Sequence, residues 1–282
     1  MPEGDTVHRT ARRLDDALAG GTVTRFDLRV PQAATAEATG EVVHGVVARG
    51  KHLLMRVGDR TLHSHLKMEG EWHLYRPGER WRKPGFKARA VVAVDGPRVA
   101  YEAVGFDLAD IALVATAAEE SLVGHLGPDP LSGDWDPAEA ARRLGADPRP
   151  IHVALQDQRS IAGFGNEYAN EILFVVGILP TTPATQTDAA AVVDLGARMI
   201  RANRDRVERT FTGDSRRGRT TWVYRREGRP CRRCGTLIRA GTLGADPTRE
   251  RIVFWCPNCQ RASTGENPPE AREDGRTTSH RS

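Results

Sequence analysis

The stretch Pro150-Ile-His-Val-Ala-Leu-Gln-Asp-Gln-Arg-Ser-Ile-Ala-Gly-Phe-Gly-Asn-Glu-Tyr-Ala-Asn-Glu-Ile-Leu-Phe-Val-Val176 reads as helix, break, helix. Pro150 to Asp157 carries a helical pattern, and Arg159 to Gly165 interrupts it with two glycines. Asn166 to Val176 resumes it, with Tyr168, Ile172, Leu173 and Val176 on a repeating apolar face. Two helices joined by a glycine-bearing hairpin make a helix-turn-helix. The glycines would bring backbone N–H groups close to a docked group, and Asn166 adds a side-chain hydrogen bond at the start of the following helix. That combination suits a phosphate; Asn166 as a plain N-cap is the alternative.

On the C-terminal side, a proline-marked turn from Pro180 to Pro183 leads into a helix over Thr187 to Arg209, then a basic loop from Phe211 to Arg219 and a strand over Thr221 to Arg226. Cys231-Arg-Arg-Cys234 and Cys256-Pro-Asn-Cys259 follow, with 21 residues between the pairs. Four thiolates so spaced fit one closed, tetrahedral structural zinc; with every position filled, a catalytic role for the ion is disfavoured. Ala262 to Ser282 is polar and rich in proline, glycine and charge, a composition expected to be disordered.

On the N-terminal side, Asp136 caps a short helix over Pro137 to Leu144, and Gly127-Pro128-Asp129-Pro130 has the composition of a linker. Before it come seven short strand-like segments: Thr22 to Val30, Glu41 to Arg49, His52 to Val57, Thr61 to His65, Trp72 to Tyr75, Ala88 to Val94 and Arg98 to Ala103. Pro77 to Gly85 reads as a charged loop, and the strand pattern is lost from Leu108 to Ser132. So many short strands argue for an antiparallel sandwich or barrel, with a helix over Thr6 to Leu18 packed outside it. The expected fold is α+β: an N-terminal helix and antiparallel β-sandwich, a helical domain, and a four-cysteine zinc hairpin. The expected divisions are residues 1–125, 126–220, 221–260 and a tail at 261–282.

Net charge is +4, with a pI near 9.1. The charge is concentrated: thirteen arginines against four acidic residues lie between Arg201 and Ala240. A polyanion partner suits that surplus, as does a solvated arginine-rich surface. Lysine is rare by contrast, with four in the chain, Lys51, Lys67, Lys83 and Lys87. No apolar run approaches a membrane span and the N-terminus has no leader-like apolar segment, so a soluble, intracellular protein is expected.

The first residues, Met1-Pro2-Glu3, acquire meaning from this context. With Met1 removed, Pro2 offers a secondary amine that can attack an aldehyde-like carbon, with the Glu3 carboxylate beside it to move protons. Read alone, the dipeptide equally fits an ordinary start to a helix.

Taken together, Met1-Pro2-Glu3-Gly4, Arg49-Gly50-Lys51-His52-Leu53-Leu54, the run Leu155-Gln156-Asp157-Gln158 through Ile161 to Tyr168 and on to Glu171-Ile172-Leu173-Phe174, and the two CxxC pairs resemble the formamidopyrimidine-DNA glycosylase/endonuclease VIII family of base-excision repair enzymes. The likeness spans roughly residues 1–260 and looks closest to the actinobacterial endonuclease VIII branch. It implies a helix-two-turn-helix DNA-binding domain and a bifunctional DNA glycosylase and AP lyase. Pro2 would be the nucleophile forming a Schiff base, Glu3 the general acid/base, and Lys51 the cation on the phosphate beside the lesion, with β- and δ-elimination cutting the strand. Asn166 and Arg251 would grip phosphate, and Met68 would wedge into the vacated stack. Cys231, Cys234, Cys256 and Cys259 would hold one structural Zn2+. The implied partner is damaged DNA, double- or single-stranded, bound by a monomer in the bacterial cytoplasm and at the nucleoid, with no membrane involved.

Two departures bear on substrate. Thr6 stands where the family has a glutamate, and Glu102-Ala103-Val104-Gly105-Phe106 replaces the Arg-Arg-Phe-Gly run of the oxidised-purine branch. The second points towards oxidised pyrimidines; Met68 is more typical of the purine branch. A non-catalytic damaged-DNA or abasic-site binding protein is the competing reading, motivated by Thr6. A zinc-bearing RNA-associated protein fits the arginine surplus but leaves the proline start unexplained.

Overall fold

The computed structural model describes residues 2–96, 99–244 and 250–261. The tail expected to be disordered lies, from residue 262 on, outside the described residues. Two compact units emerge: Met1–Asp136 with Gln158–Phe164 and Ile200–Arg206, and Pro137–Asp157 with Gly165–Met199 and Val207–Ser282.

The first unit opens with α1 (Gly4–Leu18). Val7, Ala11, Leu14 and Leu18 recur at helical spacing and are buried, while Arg12 and Arg13 face solvent. The helix starts two residues before the expected Thr6, because apolar spacing cannot register a first turn made of Gly4 and Asp5.

Eight strands follow: β1 (Thr22–Leu28), β2 (Val43–Arg49), β3 (His52–Val57), β4 (Arg60–His65), β5 (Glu71–Tyr75), β6 (Ala88–Asp95), β7 (Tyr101–Phe106) and β8 (Asp110–Ala115). They form two antiparallel sheets, ordered β1-β6-β7-β5 and β2-β3-β4-β8. Phe26, Val92, Val94 and Trp72 from one sheet and Val46, Leu53, Met55 and Leu62 from the other share a core with the apolar face of α1. This is the expected sandwich, and truncating a fully buried residue such as Leu53 to Ala would cost about 2–5 kcal/mol. On the opposite face of β3, Leu54 packs against Val123 of α2 (Glu120–Val123), Leu126 and Ala162.

The strand pattern differs from expectation in two places. β7 runs three residues further than Ala103, since a Cβ on Gly105 would stand 2.4 Å from Leu108 Cδ1 and 3.1 Å from the Trp72 ring. The glycine therefore marks close packing inside a strand and not its end. β8 falls within Leu108 to Ser132, where no strand pattern is read: in Asp110–Ala115 only Ile111 is buried, so this edge strand has almost no alternation to read.

The second unit holds α3 (Pro137–Gly145), α4 (Ile151–Ala154), α5 (Asn166–Val176), β9 (Arg239–Leu243) and β10 (Arg251–Trp255), with α6 (Ala189–Asn203) as far as Met199; the last turn of α6, from Ile200, belongs to the first unit. α5 has the bounds the sequence predicts. α4 is half the expected helix: the Gln156 side chain takes the His152 carbonyl (2.9 Å), and the Asp157 carboxylate turns to Arg149 (2.7 Å). α6 stops at Asn203, short of Arg209, where the Arg206 guanidinium caps the Ala202 carbonyl (3.1 Å) and Arg209 leaves to pair with Glu167 (2.7 Å). Thr221 to Arg226 is no strand, for a reason given below. Among the described residues no helix is long and apolar enough to cross a membrane.

Candidate active site

Pro2 is half-buried and Glu3 fully buried, at the N-cap of α1 with extended backbone (φ −122°, ψ −177°). The Glu3 side chain does not cap the helix; its carbonyl accepts the Val7 N–H (3.1 Å). The Gly4 N–H donates to the Gly163 carbonyl (2.9 Å), and a Cβ on Gly4 would lie 2.9 Å from Gly163 Cα and 3.2 Å from Ile200 Cδ1. A side chain at position 4 would therefore push Pro2 and Glu3 away.

The turn that receives Gly4 also receives the β2–β3 hairpin. Gly163 has φ +96°, and its N–H donates to Gln158 Oε1 (2.9 Å). Gly50, with φ +57°, comes so close that an added Cβ would lie 3.0 Å from Ala162 Cβ. Its N–H donates to Asp129 Oδ2 (2.7 Å), whose other oxygen accepts the Leu131 N–H (2.8 Å). Burial pushes the Asp129 carboxyl up, and the two backbone donors oppose that rise. Lys51, half-buried, follows directly in the hairpin turn. The turn thus brings Pro2, Glu3 and Lys51 to one support. This corrects the expected role of the hairpin glycine: the Gly163 N–H is consumed by Gln158, and its function is to allow close approach.

Beside Lys51, on the outer face of the β2-β3-β4-β8 sheet, the His52 ring stacks on His63 (5.0 Å) and meets His65 (5.1 Å) and His125 (6.0 Å) edge-on. His52 Nδ1 and His63 Nε2 share a hydrogen bond of 2.8 Å. Burial, then the neighbouring histidines, pushes His52 down to about 3; burial and Lys67 push His65 down to about 4. Both are neutral at neutral pH, so the histidine cluster adds no positive charge to this face.

Met68 lies in the turn between β4 and β5, 60% exposed, so it is not packed on the sheet. Lys67 before it adopts φ +51° and pairs with Asp110 (2.9 Å). Thr6 is half-buried, its N–H bonded to the Asp5 carboxylate (2.7 Å), which is itself buried in the first turn of α1. The Glu102–Phe106 stretch is strand, with Ala103, Val104 and Phe106 fully buried, so its aromatic ring belongs to the core.

In the second unit, Asn166 is the first residue of α5 and Gly165 occupies the cap, so Asn166 is not the N-cap. Its Nδ2 donates to the Ile252 carbonyl (2.9 Å), which turns Oδ1 to His152 Nε2 (3.0 Å). With burial holding His152 down to about 4, the neutral ring donates from Nε2. Asn170 Oδ1 accepts the Phe254 N–H (2.6 Å). These bonds tie α5 to β10, and they set Asn166 next to exposed Arg251 although 84 residues separate them.

The four cysteine sulfurs lie within 4.8 Å of one another, with Cys231 and Cys259 3.9 Å apart and Cys234 and Cys256 3.5 Å apart. A tetrahedron with Zn–S near 2.3 Å has S–S edges of roughly 3.8 Å, so the cluster is suited to a structural zinc. Gln260 anchors it, accepting the Cys256 N–H (2.9 Å) and donating to the Ile178 carbonyl (3.0 Å). Glu171, fully buried, accepts the N–H groups of Trp222 (2.7 Å), Val223 (3.0 Å) and Tyr224 (2.8 Å). Those donors would otherwise serve a strand partner, which is why this segment forms none. The arginine surplus is partly structural: Arg226 donates to the Trp222 and Pro230 carbonyls, Arg232 to those of Thr221 and Gly218, and Arg233 lies 4.6 Å over the Phe174 ring. The roles of Asp129, Gln158 and Glu171 escaped the sequence reading; burial of a carboxylate singles out Asp129 and Glu171, whereas half-buried Gln158 is found only from its bond to Gly163.

Residues 1–104 match the formamidopyrimidine-DNA glycosylase N-terminal domain and residues 126–210 the H2TH domain of the same enzymes. The chain belongs to the formamidopyrimidine-DNA glycosylase/endonuclease VIII family. It is 48% identical to the DNA-(apurinic or apyrimidinic site) lyase Nei2 of Mycolicibacterium smegmatis, over 93% of this chain and 100% of that protein. To Endonuclease 8 2 of Mycobacterium tuberculosis it is 47% identical, again over 93% and 100%. Among solved structures, MutM in complex with carbocyclic 8-oxo-G containing DNA aligns at a TM-score of 0.76 with 24% identity, covering 92% of this chain and 100% of that one, which is a likeness of fold.

Proposed function

We propose that this chain is a bifunctional DNA glycosylase and AP lyase that excises oxidised bases, pyrimidines in preference, and cuts at the resulting abasic site. The observation that carries the proposal is the shared turn: Gly163 accepts the Gly4 N–H at 2.9 Å while its neighbour Ala162 abuts Gly50, so the N-terminal amine and Lys51 are positioned by one element. With Met1 removed, the Pro2 nitrogen attacks C1′ of the damaged nucleotide, the C1′–base bond breaks, and the departing base takes a proton. The nitrogen then loses its proton and its lone pair expels O4′, which takes up a proton as the C1′–O4′ bond breaks and the ring opens, leaving the sugar as an iminium on Pro2. That cation acidifies the C2′ proton; its removal expels the 3′-phosphate, and a second elimination expels the 5′-phosphate. Glu3, buried beside Pro2, moves these protons, and Lys51 stabilises negative charge on the phosphate.

Arg251 is assigned to phosphate through its guanidinium and Asn166 through its backbone N–H at the start of α5, since its Nδ2 and Oδ1 are taken by Ile252 and His152; such contacts position the strand without reading its sequence. Arg251 is exposed on β10 and Asn166 holds the neighbouring residue of that strand. Cys231, Cys234, Cys256 and Cys259 would hold Zn2+, which supplies rigidity there and takes no part in the chemistry. Met68 is assigned as the wedge, for which an exposed, unbranched side chain on a tight turn is suited. The pyrimidine preference is supported by burial of Phe106 within β7. The partner is damaged DNA, duplex or single-stranded, acted on by a monomer in the bacterial cytoplasm.

Borohydride reduction of the protein with abasic-site DNA tests the mechanism. A covalent complex should form, and Pro2→Gly or retention of Met1 should abolish it, while Glu3→Gln should slow strand cleavage. Absence of any trapped complex with zinc-loaded, Met1-processed protein would favour the non-catalytic DNA-binding reading, which the substitution at Thr6 motivates.

A further inference from the structure

Phe86 is 81% exposed, although the loop carrying it is tied down on all sides. Trp81 Nε1 donates to Glu102 Oε1 (2.6 Å), the Arg82 N–H to Tyr75 Oη (3.1 Å), and Lys83 Nζ reaches Glu71 (2.5 Å) and Asp107 (2.8 Å). Either side of Phe86, Arg29 Nη1 donates to the Gly85 carbonyl (2.8 Å) and the Asp107 N–H to the Lys87 carbonyl (2.9 Å). An aromatic ring on so well held a backbone loses little freedom on binding.

The topology places this ring. Ala88 and Glu71 both pair with Phe106, so Phe86 leaves the sheet at the end where β5 begins and β7 finishes. Exposed Met68 lies three residues before β5 begins at Glu71. Three of the four lysines, Lys67, Lys83 and Lys87, stand at this end in ion pairs with Asp110, Glu71 and Asp107, and Arg80 and Arg82 are exposed on the same loop. An exposed ring among cations fits a nucleobase between phosphates better than an apolar protein surface. Phe106 cannot serve, being fully buried with its ring 5.9 Å from that of Trp81.

We propose that Phe86 stacks on the unpaired base facing the lesion once the damaged nucleotide has left the duplex, and so makes the enzyme tolerant of which base stands there. This deepens, and rests on, the glycosylase and lyase reading above. A phenyl ring has no hydrogen-bonding group and every base has a π face, whereas an arginine at this place would read base edges.

The test is borohydride trapping on abasic-site oligonucleotides, single-stranded and in duplexes with A, C, G or T opposite the site. Phe86→Ala should keep the wild-type thermal midpoint and the single-strand rate, but raise the half-saturating concentration of all four duplexes on the order of tenfold; Phe86→Trp should restore it. Equal losses on single strands and duplexes, no loss on any duplex, or strong wild-type discrimination among opposite bases would overturn the assignment. 2-Aminopurine opposite a stable abasic analogue gives a readout independent of chemistry: binding of wild type should change its emission and binding of Phe86→Ala should not. Should wild type trap on no DNA, the lyase reading fails, and this signal still decides for or against Phe86: equal responses of the two proteins would count against it.

Discussion

The Gly4 N–H meets the Gly163 carbonyl at 2.9 Å, so the start of α1 is fastened to a turn 159 residues further along the chain. The contact has no room for a side chain, and Gly4→Ala should displace Pro2 and Glu3 from their support. The expected cost is about 1–3 kcal/mol of stability, with at least a tenfold fall in the rate of borohydride trapping. Thermal unfolding and single-turnover trapping would check it; wild-type trapping by Gly4→Ala would show that the support does not matter.

Glu171 is the acceptor for three backbone N–H groups, those of Trp222, Val223 and Tyr224. Glu171→Gln replaces one acceptor oxygen by an NH2 that faces donors. At about 1–3 kcal/mol for each buried donor left unsatisfied, we expect a loss of at least ~2 kcal/mol, read as a lower urea midpoint.

The buried histidines predict a particular acid response. His52 and His65, at about 3 and 4 in the folded chain, lie below the 6.5 of an exposed histidine. As pH falls through 6.5 the unfolded chain takes up protons that the folded chain refuses. Their contribution is therefore intact above about pH 6.5 and is lost progressively between there and about pH 3. Urea midpoints at pH 7.5, 6 and 5 should fall in that order, and less steeply in His52→Gln; parallel pH profiles for the two proteins would exclude the cluster as the cause.

Zinc should be needed for DNA binding and not for the chemistry of Pro2. One equivalent should be released by a strong chelator or by Cys259→Ser, with a loss of affinity that is similar for damaged and undamaged duplexes. Fluorescence anisotropy and a colorimetric zinc assay would measure both; zinc-free protein that binds DNA as wild type does would contradict it.

Arg251→Ala should likewise weaken binding of all sequences and reduce the slope of log K against log salt by about 1, the signature of one lost phosphate contact. A change confined to one lesion would assign Arg251 to base recognition.

Much of this was legible in local pattern. β3 carries Leu53, Met55 and Val57 on one face, α5 repeats its apolar residues at helical spacing, and the CxxC spacing announces a tetrahedral thiolate site. Two of the misses originate in packing between residues distant in the chain. The expected strand stopped at Ala103 because the packing of Leu108 and Trp72 against Gly105 cannot be seen locally, and Thr221 to Arg226, strand-like in local pattern, forms none because its N–H donors go to Glu171.

The sequence by itself determined which chemistries were available: a proline start, a rare lysine in a hairpin turn, an asparagine opening a helix and four thiols, since these depend on residue type and short spacing. Only the tertiary structure decided what stands together. Gly163 brings the N-terminus to the Lys51 hairpin, Asn166 reaches the strand of Arg251, and Phe86 is held out into solvent. The physical reason is that each juxtaposition is made by residues far apart in the chain, through backbone approach and buried polar bonds that leave no periodic trace in the sequence.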